Sequence, residues 1–235
     1  RDDVESRGLG DVYKRQALVC AGAMSFADAV RTVRKRGQFM QEAVPVGEGA
    51  MAAIIGLDTD KIKEICAETA NMTNQCVQAV NFNCPGQIVI AGATEAVHKA
   101  CDRLKEAGAK RAILLPVSAP FHSTLMQPAA DRLKEVLDSV EIVDAKIPVV
   151  ANVNAKPETK ADEIRSQLVL QAASPVLWED SVRRMMNDGV DTFVEVGPGK
   201  VLCGFIKKVD RSYAPLNVED MESLEKSLAY LKEVR

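Results

Sequence analysis

The sequence has few of the residues that bind metals. Its two histidines, His98 and His122, stand far apart in 235 residues, and its six cysteines are scattered with no C-x-x-C pair. So low a ligand count argues against a metal site. The spacing of Cys20, Cys66, Cys76, Cys84, Cys101 and Cys203 argues against a disulfide frame or a zinc site, so they read as reduced thiols in a cytosolic protein. Charge of one sign is also scarce. The net charge is -3 with acids and bases interspersed, which leaves no basic field for nucleic acid or an anionic membrane. No apolar run is long enough to span a bilayer, and no signal-peptide pattern opens the chain. There is no internal repeat, no low-complexity segment and no G-x-x-x-x-G-K-[S/T] phosphate loop. Nothing in the pattern requires a cofactor.

Hydrophobic residues make up 47% of the chain, enough to build one large domain or two small ones. Residues 1–16 stand apart: half are charged and no periodicity shows, so they read as a disordered or unrelated leader. From Ala17 the chain reads as a buried helix stopped at Gly22, and then as a helix from Ser25 to about Val44. The apolar stripe of that second helix is Phe26, Ala29, Val30, Val33, Gly37 and Met40, with Arg36 at its edge. Between about Ala50 and Leu115 the pattern is β-α-β-β-α-β, the ferredoxin-like split motif, placed as a small unit inside a larger one. Strands and helices alternate again to the C-terminus, with Pro175 opening one helix. Together these patterns give an α/β fold with a covered, mainly parallel sheet.

The candidate chemistry gathers at Pro116 to Met126, a strand-to-helix loop holding His122. Imidazole takes and returns a proton near neutral pH, and such loops carry the chemistry of α/β proteins. A capping or merely exposed histidine fits the position equally well. Arg36, on an inward-leaning helix edge, needs an anionic partner: a structural ion pair, or a substrate carboxylate gripped by two parallel bonds. His98 reads as solvated surface, and the lone Trp178 as core. Asn152 and Asn154 read as turn residues before ligand-orienting amides. Gly197-Pro198-Gly199-Lys200 reads first as a tight turn and second as an anion-binding loop.

Several motifs in order carry a resemblance: ALVCAG (Ala17 to Gly22), FADAV…RGQFMQEAVP (Phe26 to Pro45), GAMAAIIGL (Gly49 to Leu57) and NFNCPGQIVIAG (Asn81 to Gly92). PVSAPFHSTLM (Pro116 to Met126), PVVANV (Pro148 to Val153) and EVGPGKVL (Glu195 to Leu202) complete it. The chain after residue 16 resembles the malonyl-CoA:acyl carrier protein transacylases of bacterial fatty acid synthesis. The resemblance implies an α/β-hydrolase-like large subdomain, residues 17–49 and 116–235, with a ferredoxin-like small one, residues 50–115, inserted. It implies two partners, malonyl-CoA and acyl carrier protein, and a cytoplasmic enzyme that transfers a malonyl group through an acyl-serine intermediate. In that scheme His122 is the catalytic base and Arg36 binds the malonyl carboxylate. The backbone carbonyl of Gln171 orients the histidine. Phe121 crowds a branched acyl group, a filter worth only ~1–3 kcal/mol. The family's G-H-S-L-G-E nucleophile elbow stands just before ALVCAG, but here Gly8 to Gln16 occupies that stretch and Asp11 aligns with the serine. The family's N-terminal G-Q-G segment, part of the oxyanion hole, has no counterpart either. The resemblance therefore implies a C-terminal fragment without a nucleophile, inactive alone. Two alternatives remain open: a non-catalytic module that binds carrier protein or acyl-CoA, and a polyketide-type acyltransferase domain.

Overall fold

The structure, a computed structural model, describes residues 9–117 and 119–233. Its central unit is a four-stranded antiparallel sheet in the order β2-β3-β1-β4, built from β1 (Gly49–Ile55), β2 (Val77–Cys84), β3 (Gln87–Ala93) and β4 (Arg111–Leu114). Two helices, α3 (Thr59–Thr73) and α4 (Thr94–Glu106), connect β1 to β2 and β3 to β4. Side chains alternate along β1. Ala52 and Ile54 face a core shared with Ile62 and Ile65 of α3 and with Val97, Ala100 and Leu104 of α4. Met51 and Ala53 face the other way, into a core with Val80, Val89 and Leu115. Because both faces are covered, the strand is an unbroken apolar run rather than an alternating one. Helix α3 opens where the Asp58 carboxylate accepts from the N–H groups of Asp60 (2.9 Å) and Lys61 (3.2 Å). It closes at Asn74 in the left-handed region.

The remaining elements pack around α5 (Gln127–Asp138) and α6 (Ala161–Leu170). Leu133, Leu137, Ile164 and Leu168 from these helices form one core with Leu18 of α1 (Leu9–Cys20) and with Ala21 just after it. Helix α2 (Phe26–Ala43) starts at the N-cap Ser25, whose Oγ accepts from the Asp28 N–H at 3.1 Å and donates to its carboxylate at 2.6 Å. A hairpin of β5 (Val149–Ala151) and β6 (Lys156–Glu158) follows α5. Next come α7 (Trp178–Asn187), β7 (Val194–Val196), α8 (Val201–Val209), β8 (Leu216–Val218) and α9 (Met221–Glu233).

The structure departs from four sequence expectations. The mainly parallel sheet is absent among the described residues, where β7 with β8 is the one parallel strand pair. Strand β5 turns back on β6 instead of lying beside β7. The break in character expected at residue 16 falls inside α1, where Lys14 and Arg15 are buried and the Lys14 ammonium lies 2.8 Å from the Glu158 carboxylate. That tertiary partner is invisible to periodicity; residues 1–8 of the expected leader lie outside the described residues. Pro175 does not open a helix. Val176 donates to Val80 O (2.7 Å) and accepts from Phe82 N–H (2.9 Å), so tertiary pairing holds the segment extended until Trp178. The expected apolar stripe of α2 is only half covered: Ala29 and Met40 are buried, whereas Phe26 is 74% and Val30 50% exposed.

Candidate active site

The chain leaves the sheet just after β4. Leu115 N–H still donates to Met51 O (2.9 Å), and then Pro116, which has no N–H, ends the ladder. The loop that follows is held by its own short bonds. Phe121 N–H donates to Ala119 O (3.0 Å), Ser123 Oγ to Pro120 O (2.6 Å) and Met126 N–H to Ser123 O (3.0 Å). Within it His122 adopts φ +65°, a left-handed conformation that costs a non-glycine residue about 1 kcal/mol or more. Such strain persists only where the surroundings fix it, and here they do. Ala119 and Met126 are packed with Met40 of α2, with Val44 just past its end and with Ala129 of α5. On the opposite side Gly49, at the start of β1, lies so close to Pro120 that a Cβ there would stand 2.3 Å from the proline Cδ. Only glycine allows that approach. Gly49 went unnoticed in the sequence because no local pattern marks a contact 71 residues away.

The His122 ring is fully buried, and its Nδ1 lies 3.1 Å from the backbone carbonyl of Gln171. Gln171 is the C-cap of α6, where carbonyls have lost their intrahelical partners, so the helix end supplies this acceptor from its backbone. A carbonyl can only accept, so Nδ1 carries the proton and Nε2 is left as the basic nitrogen of the neutral ring. The ring pKa is pushed down to about 3, first by burial and then by the Arg36 guanidinium; the backbone bonds to Gln171 and Ser174 oppose this. Ser174 is a second backbone contact that the sequence reading did not find. The Gln171 side chain is also buried, and neither of its amide atoms has a hydrogen-bond partner among the described residues.

Arg36 reaches the same place from α2. It lies one turn before Met40, and residues four apart share a helix face, so packing Met40 against the histidine loop turns Arg36 toward the ring. Burial lowers the Arg36 pKa to about 10, so it stays cationic at neutral pH. Phe121 is half-buried and packs against both the sheet core of Met51 and Val89 and the α2 core of Met40 and Met126. Thus His122, Arg36, Phe121 and Gln171 converge from the β4–α5 loop, α2 and the end of α6.

The other candidates lie elsewhere or are satisfied within the chain. His98 is exposed on α4. The N–H groups at the start of α8 are taken internally: the buried Glu195 carboxylate accepts from Leu202 (3.2 Å) and Cys203 (2.8 Å), and Glu219 accepts from Gly199 (2.9 Å). The Gly197 to Lys200 loop is therefore a turn with its own anions. Asn154 accepts from Lys156 N–H in a tight turn, and Asn152 O accepts from Leu177 N–H. All six cysteines are free, and the thiols of Cys66 and Cys101 are pushed by burial up to about 12 and about 11. No group of three or more metal-ligating side chains occurs among the described residues.

The family model for the acyl transferase domain matches residues 15–227. The chain is 53% identical over 217 residues to the malonyl CoA-acyl carrier protein transacylase of Bacillus subtilis, covering 92% of this chain and 68% of that protein. It is 55% identical over 193 residues to the enzyme of the same name from Escherichia coli K12, covering 82% and 62%. Among solved structures, the transacylase from Coxiella burnetii superposes with a TM-score of 0.88 at 44% identity, over 91% of this chain and 67% of that one. A malonyl-transacylase in complex with a type II polyketide acyl-carrier protein gives 0.90 at 47% identity, over 92% and 70%. The chain thus spans about two thirds of the length of the relatives it matches.

Proposed function

The chain belongs to the acyl transferase domain family, and on that premise we propose that it carries the acyl-recognition and proton-transfer parts of a malonyl-CoA:acyl carrier protein transacylase. One observation supports this most: a buried neutral imidazole, oriented by a helix-end carbonyl, beside a guanidinium on an otherwise apolar helix face. In the complete reaction a serine hydroxyl adds to the malonyl-CoA thioester carbonyl while His122 Nε2 takes its proton. The C–S bond then breaks, and the imidazolium returns the proton to the coenzyme A thiolate. In the second half His122 takes the proton of the carrier's pantetheine thiol. The thiolate attacks the ester, the C–O bond breaks, and the proton goes back to the serine oxygen.

Arg36 does more than hold the substrate in this reading. Its positive charge disfavours the imidazolium, so a malonyl carboxylate that neutralises it makes His122 a better base. Substrate choice and proton transfer are coupled through one guanidinium. Phe121, wedged between two cores, is the steric wall against branched acyl groups. We read residues 50–115 as a small subdomain inserted in a large one formed by 17–49 and 116–235, with carrier protein and malonyl-CoA as the partners. The free thiols, four of them buried, agree with a cytoplasmic setting.

Asp11 occupies the position where the resemblance expects the serine, so this polypeptide is expected to bind substrate without turning it over. The test is transfer of labelled malonyl from CoA to holo carrier protein by the purified chain. No transfer, with saturable binding of malonyl-CoA, agrees with the proposal; turnover would overturn the assignment of an absent nucleophile. The similar malonyl-transacylase that binds a polyketide carrier makes one further arm worthwhile, a comparison of fatty-acid and polyketide carriers for binding.

A further inference from the structure

We propose that Gln78 of β2 is a positioning residue for His122: its side-chain amide oxygen latches the histidine loop to the four-stranded sheet and keeps the imidazole in its buried, strained place. The inference rests on the reading of His122 as the base, and it adds a residue that neither the motifs nor the resemblance singled out. Gln78 Oε1 accepts from the Thr124 N–H at 3.3 Å and from the Thr124 hydroxyl at 3.1 Å, two residues past the ring and across 46 residues of sequence. The loop needs an acceptor at this point. After His122 the chain makes a single 3-10 turn, Thr124–Met126. The first N–H groups of such a turn have no partner within it, and the N-cap side chain is their usual acceptor. Ser123 is the N-cap here, but it makes no side-chain cap bond; its Oγ donates back to Pro120 O at 2.6 Å. Strand β2 supplies the missing acceptor from the other side of the fold.

The latch is itself built in. Gln78 stands opposite Ala91 of β3, and two residues earlier Cys76 O accepts from the Ala93 N–H at 2.8 Å. Gly92 makes that close pairing possible, since a Cβ there would stand 2.0 Å from Cys76 O. Cys76 Sγ donates to the Gln78 oxygen at 3.4 Å and lies 3.4 Å from Thr124 Oγ1, so one oxygen gathers three donors. His122 pays for its φ of +65° with strain, which persists where the residues on both sides of it are held. Before the ring, Pro120 is pressed against Gly49; after it, Thr124 is tied to Gln78. Without the second tie the loop can relax, and the ring can leave both its apolar surroundings and the Gln171 carbonyl.

The experiment reads amide exchange together with the NMR titration of His122 in a His98→Gln background, where it is the one imidazole. Gln78→Met keeps the length of the side chain and removes the acceptor. Exchange at Thr124 should quicken about five- to tenfold, and the His122 pKa should climb from about 3 toward 6.5, with unchanged circular dichroism. Thr124→Val keeps the N–H and loses the hydroxyl, so it should move both readouts the same way by less. Gln78→Glu restores an acceptor at the same reach and should return slow exchange at Thr124; its charge would itself raise the ring pKa, so the rescue is read from exchange. Gln127→Met, which removes an exposed bond to Asp131 on α5, should change neither readout. A ring pKa unmoved by Gln78→Met, no rescue by Gln78→Glu, or faster exchange spread evenly over β2, β3 and α5 would overturn the proposal. Neither readout uses malonyl-CoA, so failure of the latch and failure of the malonyl reading are separate results.

Discussion

In the four-stranded unit, β1 buries one face against α3 and α4 and the other against the histidine loop; at the α1–α2–β7 face, comparable apolar residues stay open. Ile54, Ile90 and Leu104 are fully buried, whereas Phe26, Val30, Val194 and Val196 are not. The charged residues follow the same division. On α3 and α4 they lie outside, in exposed pairs such as Lys61–Glu64 and Lys105–Asp102. On α1 Lys14 and Arg15 lie inside, Lys14 against Glu158. Burial lowers the Lys14 pKa and raises that of Glu158, in each case against the pull of the partner, so desolvation outweighs attraction at both ends. Composition is similar in the two regions, and what separates them is whether each apolar face has a neighbour to close it among the described residues.

The largest effect that could break this comparison concerns the buried pair. Glu158→Ala should destabilise the chain by about 3–5 kcal/mol, because an ammonium remains buried without its carboxylate. The double variant Lys14→Met/Glu158→Leu should recover most of that loss in urea unfolding. If the single variant is mild, the pair is not desolvated as described. A parallel pair of truncations sharpens the contrast. Leu104→Ala should cost ~2–5 kcal/mol, while Phe26→Ala, at an exposed position, should stay within about 0.5 kcal/mol. Equal costs would mean that the face is covered in solution.

Acid titration probes the histidine loop with a smaller effect. The ordinary histidine pKa is 6.5, and folding brings His122 down to about 3, so between these values the unfolded chain binds the extra proton. Stability should be greatest above pH 6.5 and fall progressively as the pH drops toward 3. Arg36→Ala removes a charge that opposes protonation, so the His122 pKa should rise and the acid loss should shrink. In a His98→Gln background one imidazole remains, and its NMR titration reads the shift directly. A pKa that is unmoved, or lower, would place Arg36 away from the ring.

The local signals in the sequence were good where structure is local. The capping box at Ser25, the β-α-β-β-α-β pattern expected from about Ala50 to Leu115 and the exposed His98 all depend on neighbours a few residues away. His122 and Arg36 were visible as chemically unusual side chains in their segments, and the resemblance supplied Gln171 and Phe121. What failed was long-range. Pairing with Val80 and Phe82 keeps Pro175 and Val176 out of a helix, Glu158 draws Lys14 inside, and the close approach of Gly49 to Pro120 fixes the loop. The parallel sheet was expected because alternating elements usually lie side by side, but β5 and β7 do not pair here.

Arg36 is the proposed reader of the acyl carboxylate, and its guanidinium lies beside the buried His122 imidazole. The most direct test is calorimetric binding of malonyl-CoA and acetyl-CoA to the chain and to its Arg36→Ala variant. A malonyl preference of about tenfold or more in the parent chain, lost in the variant while acetyl-CoA binding is unchanged, is the predicted result. Equal binding of the two thioesters, or a preference that survives removal of Arg36, would contradict it.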